Sequence, residues 1–219
     1  MMNYKQMRTA MVNSQLRTCD VNTPWILDAM SKLPREEFVG EAQREFAYMD
    51  RPLKVSGDRM MAPPIVAGQI LTRIAPSGGE KILIIGGGSG YVAALIAPQI
   101  FNLHFIEPDA DLLARAKDNL SGFDNITFVD GDWTTGPHDK NADFGEYDVI
   151  LLDAVAQKAP EALAALLKDG GKFICGNDDG ATTSLCVGIK AGGQVKLVPK
   201  DPAYMPFIDA LSEPAGFTF

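Results

Sequence analysis

The chain has 219 residues, of which 46% are hydrophobic and 22% charged, and a formal net charge of −8. This composition suits one α/β domain with an appended N-terminal segment, long enough to bury a large core. No apolar run approaches the roughly 18 residues of a membrane span, and no basic stripe offers itself to a phosphate backbone, so neither a membrane nor a nucleic-acid partner is expected.

From the N-terminus, M-M-N-Y-K-Q-M-R lacks the apolar core of a signal peptide, and a cytoplasmic location is the expectation. Residues 3–17 fit a helix with Tyr4, Met7, Met11 and Ser14 on one face. Thr23 and Pro24 supply a cap and first turn for a second helix through Trp25, Leu27 and Met30. This segment is too short and too polar to fold alone. Residues 1–60 are therefore expected to be a helical segment and substrate-side loop packed on a core of residues 61–219. The first sixty residues hold nine bases and eight acids, leaving eleven bases and twenty acids in the remainder, so the acidity lies in the core. Residues 53–61, with Ser56, Gly57 and Asp58, read as a loop. Residues 64–74 carry Val66, Ala67, Ile70, Leu71 and Ile74 at helical spacing, and Ala75 to Gly79 ends that helix.

The most informative stretch follows. Ile82, Leu83, Ile84 and Ile85 run straight into Gly86, Gly88 and Gly90, and Ala93, Ala94, Leu95 and Ile96 come next. This is the pattern of a buried parallel strand, a tight glycine turn and a helix. A turn without Cβ atoms lets a ligand lie against the backbone at free N–H groups. Tyr91 stands where the dinucleotide pattern G-x-G-x-x-G has its third glycine, which argues against NAD and for another nucleoside-bearing cofactor. Residues 102–106 form a second strand ending in Glu107, and Asp109 caps a helix with Leu112, Leu113, Ala116 and Leu120 on one face. A carboxylate at the tip of the second strand can accept both ribose hydroxyls. A third strand, 126–129, leads into Asp132 and Trp133, an acid for an adenine amino group and an indole to stack on it or close the pocket. Alone, each acid reads equally as a solvated cap.

A fourth strand at 147–152 precedes Asp153, a helix fits 160–167, and a fifth strand fits 172–175. Residues 185–189 and 195–198 form an antiparallel hairpin across Ala191, Gly192 and Gly193. Phe207, Phe217 and Phe219 suggest a tail that docks. Alternating strands and helices imply a doubly wound, mostly parallel sheet. Cys19, Cys175 and Cys186 are odd in number and scattered, so buried free thiols in a reducing compartment are expected, and no metal site is. His104 in a strand and His138 in a polar loop read as structural or solvated.

A further set of motifs carries a resemblance. These are M-V-N-S-Q-L-R (11–17), L-P-R-E-E-F-V (33–39), A-Y-M-D-R-P-L (47–53), A-P-P-I-V-A (62–67), G-G-G-S-G-Y (86–91), D-N-I-T-F-V-D-G-D (124–132) and L-K-D-G-G-K (167–172). Together they resemble the protein-L-isoaspartate O-methyltransferases, a family of class I S-adenosylmethionine-dependent methyltransferases with a Rossmann-like fold. The resemblance implies S-adenosyl-L-methionine as cofactor, and protein repair by methylation of isoaspartyl or related carboxylates on a protein or peptide. The implied cofactor-binding residues are Gly86, Gly88, Ser89, Gly90, Glu107, Asp132 and Trp133, with Asp153 a candidate for the cofactor's ammonium.

Two positions depart from the family. Its loop pattern G-Q-T-I-S-Q-P corresponds to Gly57, Asp58, Arg59, Met60, Met61, Ala62 and Pro63 here, so Met61 replaces a serine associated with the substrate carboxylate. A thioether donates no hydrogen bond, whereas the Arg59 guanidinium matches a carboxylate well. Ile84 replaces a Glu associated with the methionine end of the cofactor. The substrate-side candidates are Arg59, Met61, Ala62 and Pro63, and no catalytic acid or base is assigned, because a carboxylate is already ionised at neutral pH. Three readings stand: a carboxyl methyltransferase, a non-catalytic member serving as a partner module, and an NAD-dependent oxidoreductase, the last opposed by Tyr91.

Overall fold

The computed structural model describes residues 3–139 and 144–211. Its centre is a seven-stranded sheet. The strands are β3 (Lys81–Ile85), β4 (Asn102–Ile106), β5 (Ile126–Phe128), β8 (Tyr147–Val155), β9 (Leu167–Asp178), β10 (Thr183–Ala191) and β11 (Gln194–Pro202). Before them come β1 (Leu53–Ser56) and β2 (Arg59–Met61), and between β5 and β8 lie β6 (Gly131–Asp132) and β7 (Gly136–Pro137). The order across the large sheet is β11-β10-β9-β8-β3-β4-β5. β3 pairs in parallel with both β4 and β8, so the chain reverses its winding there, where a crevice opens at the strand C-termini. The strands from β9 outward run antiparallel.

The apolar run of β3 divides by alternation. Ile82 and Ile84 join the core on one face of the sheet, with Phe105, Val149, Leu151 and Ile174. Leu83 and Ile85 join the other, with Ile106, Ile150, Leu152 and Phe173. The first of these cores also contains Met11, Leu16, Ile26 and Met30, so the N-terminal segment is packed into it.

Helices α3 (Pro64–Ile74), α4 (Tyr91–Ile96), α5 (Ala110–Asn119) and α6 (Glu161–Ala165) separate the strands. The expected 64–74 helix matches α3, whose C-cap Ala75 adopts φ 47°, and Asp109 caps α5 by accepting from the Leu112 N–H. The two-residue turn of the β10–β11 hairpin is Gly192 and Gly193, at φ 56° and 79°, the left-handed pair that a tight hairpin needs. Helix α6 is shorter than 160–167, since Leu167 pairs with Tyr147 in the sheet.

Other expectations are corrected. Helix α1 (Tyr4–Met11) passes into a π-helical turn at Val12–Leu16, which rotates the buried stripe onto Val12 and Leu16 and leaves Ser14 exposed. In α2 (Pro24–Lys32) Ile26 is buried with Leu27 and Met30, while Trp25 is only half-buried. The supposed loop 53–61 is a β-hairpin, with Leu53 opposite Met61 and a turn at Gly57, φ 46°. Phe207 is 54% exposed, and Met205 and Ala203 anchor the tail instead. Phe217 and Phe219 lie outside the described residues. Cys175 and Cys186 are buried free thiols opposite each other on β9 and β10, whereas Cys19, expected to be buried as well, is exposed. No helix among the described residues is long and apolar enough to cross a membrane.

Candidate active site

Beyond β3 the backbone turns through Gly86, Gly88 and Gly90, at φ 73°, 58° and 93°, a path that side-chain-bearing residues rarely follow. The faces of the turn differ. A Cβ on Gly86 would meet the Trp133 ring at 2.0 Å, whereas a Cβ on Gly88 would point into open space. Gly88 lines a narrow cleft of about 30 Å³. Its walls bring together Gly86, Gly88 and Ser89 with Arg59, Met61 and Ala62 of the β2 segment, Asp153 of β8, and two residues that were not among the expected site residues, Arg35 and Tyr91.

Glu107 is 4% exposed at the end of β4. It accepts from the Gly88 N–H at 2.7 Å and the Asp109 N–H at 3.0 Å. Burial pushes its pKa up, and Arg59 and those amides pull it back only in part. Arg59 crosses from β2 to meet it, donating from Nη2 to Glu107 at 3.4 Å and to the Gly86 carbonyl at 3.1 Å, with its guanidinium 4.6 Å from the Trp133 ring centre. Its Nε and Nη1 are buried without partners. Glu107 and Trp133 do not line the cleft, whereas Arg59, which touches both, does.

Asp153 lines the cleft with a buried Oδ1 that has no partner. Burial raises its pKa to about 6, with Arg59 and Arg35 opposing and Glu107 adding to the rise. A carboxyl whose folded pKa exceeds its unfolded value stabilises the fold below the unfolded value, and that contribution is lost as pH rises through the folded one. Asp153→Asn should therefore be the more stable protein at pH 8, by up to about 3 kcal/mol, with the advantage shrinking towards pH 4. Urea unfolding of both proteins from pH 4 to 8 tests this, and a pH-independent difference would refute it.

The other sequence candidates are employed differently. Asp132 accepts from the amides of Thr134 and Thr135 at 2.7 Å, from both their hydroxyls, and bonds His138 at 3.1 Å. Burial alone would raise its pKa, but these bonds hold it far below the usual carboxylate range. Its carboxylate is thus engaged by its own turn and does not line the cleft. The Ser89 hydroxyl is fully buried and donates to the Phe38 carbonyl, tying the glycine turn to the N-terminal segment. Pro63 is buried as the cap of α3, and Gly90 caps α4 against Leu120. Ile84 is fully buried beneath Gly87 and does not line the cleft. His104 bonds the Tyr147 hydroxyl at 2.7 Å within the core.

The N-terminal motifs converge on a hydrogen-bonded scaffold that reaches the cleft at Arg35. Arg35 is fully buried, donates to the carbonyls of Ala47 at 2.8 Å and Ala62 at 2.6 Å, and lies 4.6 Å from the Tyr91 ring centre, with Nη1 unpartnered. Gln15 donates to the Tyr48 carbonyl, and Arg8, Glu36 and Tyr48 form a joined network. Arg115 of α5 bonds the carbonyls of Val55 and Phe38. Only the clustering of charged and aromatic residues within the N-terminal motifs hinted at this in the sequence.

The family model for protein-L-isoaspartate (D-aspartate) O-methyltransferase matches residues 6–210. A protein-L-isoaspartate O-methyltransferase of Koribacter versatilis is 32% identical over 206 residues, covering 92% of this chain and 90% of the relative. Another, from Syntrophobacter fumaroxidans, is 34% identical over 176 residues, 80% of each chain. Among solved structures, a Plasmodium falciparum protein described as a putative protein-L-isoaspartate O-methyltransferase, in complex with S-adenosyl-L-homocysteine, superposes with a TM-score of 0.76 at 20% identity. The alignment covers 94% of this chain and 98% of that one. A second solved protein-L-isoaspartate O-methyltransferase gives 0.75 at 21% identity, with 94% of this chain aligned to 66% of that one.

Proposed function

This chain belongs to the protein-L-isoaspartate (D-aspartate) O-methyltransferase family, and from that premise we propose that it methylates the free carboxylate of isoaspartyl residues in proteins and peptides, with S-adenosyl-L-methionine as donor. The observation that carries the reading is the glycine turn opening onto a cleft that has buried, unpartnered polar atoms in its wall. The residues present fit the cofactor. Glu107 is a buried acceptor for ribose hydroxyls, Gly88 leaves room against the backbone, and the orphaned Asp153 Oδ1 suits an ammonium group. Asp153 thereby takes over the charge that Ile84, sealed in the core, does not supply. Asp132 reaches an adenine only if its turn bonds are shared, so we assign the adenine end chiefly to Trp133.

When bound, the sulfonium supplies an activated methyl group and a good leaving group. The chain's own part is placement and the exclusion of water. A carboxylate oxygen needs no base at neutral pH, so holding it in line is the main catalytic work, and such positioning can amount to roughly 7–11 kcal/mol. The β1–β2 hairpin and Arg35 line the cleft on the side that we assign to the substrate.

Calorimetry with S-adenosyl-L-homocysteine and radiolabelled methyl transfer to an isoaspartyl peptide test this directly. Failure of both would overturn it. Met61 faces the cleft where the family pattern has serine, and a hydroxyl there restores a donor to the substrate anion. Met61→Ser should raise the transfer rate by about tenfold or more, the usual effect of one hydrogen bond to a charged group. No transfer in wild type or variant, despite cofactor binding, would favour a non-catalytic member of the family.

A further inference from the structure

Arg59 is held in a position that the proposed cofactor must contest. Its Nη2 donates to the Glu107 carboxylate and to the Gly86 carbonyl, and its guanidinium stacks on Trp133, which itself covers Gly86. These are the groups assigned above to the nucleoside. Oε2 of Glu107 already accepts from Gly88 and Arg59 and Oε1 from Asp109, so two ribose hydroxyls can both take Glu107 only if the guanidinium gives up its share. Yet a guanidinium stays charged at any working pH, and this one is 87% buried at its side chain, so once displaced it needs another anion. Residues i and i+2 of a strand point to the same side, and Arg59 and Met61 are so related on β2, both lining the cleft. Arg59 thus extends from the same face as the position where the family's serine stands.

We infer that Arg59 serves two anions in turn: it latches onto Glu107 in the cofactor-free chain, and when the ribose takes Glu107 it is released to hold the carboxylate of the methyl acceptor. Built on the methyltransferase reading, this makes binding ordered, cofactor before acceptor, and gives the chain a substitute for the missing hydroxyl. It also keeps the transfer step balanced. One acceptor oxygen rests on the guanidinium while the other forms the new bond to the methyl carbon; the carbon–sulfur bond breaks, sulfur keeps the electron pair, and no proton moves.

The test is calorimetry on the full chain and on Arg59→Gln, Arg59→Thr and Arg59→Lys, with urea unfolding to verify folding. Removing the latch should tighten S-adenosyl-L-homocysteine binding by about tenfold in the Gln and Thr variants, because the competent state no longer has to be opened. An isoaspartyl peptide should bind the wild type only when S-adenosyl-L-homocysteine is present. The Gln and Thr variants should raise the KM for that peptide by about tenfold to a hundredfold, with Lys in between. Equal or weaker S-adenosyl-L-homocysteine binding in every variant that folds, or peptide binding that ignores the cofactor, would overturn the latch and leave the methyltransferase reading standing. No S-adenosyl-L-homocysteine binding by wild type or any variant would overturn both.

Discussion

Arg35→Met is expected to lower the free energy of unfolding by about 3 kcal/mol, measured by urea titration. The Arg35 side chain has no exposure, and its hydrogen bonds satisfy the carbonyls of Ala47 and Ala62, on either side of the β1–β2 hairpin. Methionine matches the length of the aliphatic stem but donates nothing, so two buried carbonyls lose their partner, at about 1–3 kcal/mol each. Relief of the desolvated charge offsets part of that, since burial already disfavours the cation. The loss also loosens the hairpin that carries Arg59 and Met61, so acceptor KM should rise along with the fall in stability. A change in stability under about 0.5 kcal/mol would mean that desolvating the guanidinium costs as much as its bonds return.

Glu107→Ala should weaken S-adenosyl-L-homocysteine binding by about tenfold to a hundredfold, because a buried carboxylate is the only acceptor proposed for the ribose hydroxyls. The variant also removes the acceptor for the Gly88 and Asp109 amides and strips Arg59 of its carboxylate. That last effect makes the double variant informative. Arg59→Gln should tighten binding in the wild-type background and do nothing further in Glu107→Ala, a clear departure from additivity for two residues in contact. Unchanged affinity in Glu107→Ala would remove Glu107 from the cofactor site.

The sheet was legible because its signals are local. The apolar run before Gly86, the acid at 107 and the capping Asp109 each follow from strand burial, alternation or helix-end chemistry, and β3, β4 and α5 lie where those rules put them. The 53–61 hairpin looks like a loop in sequence because a two-stranded ribbon has little periodicity of its own and is fixed by contacts such as Arg115 to Val55. The buried stripe of the first helix leaves its 3.6-residue period beyond Met11 because a π-helical turn changes the repeat, and composition carries no sign of that.

By itself, then, the sequence determined the alternation of strands and helices, the glycine turn and the presence of acids at the strand tips, since each depends on residues near one another in the chain. Which of those acids is free to act was decided only by the tertiary structure. Asp132 is spent on Thr134, Thr135 and His138, Asp153 is left orphaned in the cleft wall, and Glu107 is shared with an arginine 48 residues away. The reason is physical: the availability of a charged group is set by its burial and by the partners that folding brings to it, and Arg59 reaches Glu107 only once β2 has been laid across the end of the sheet.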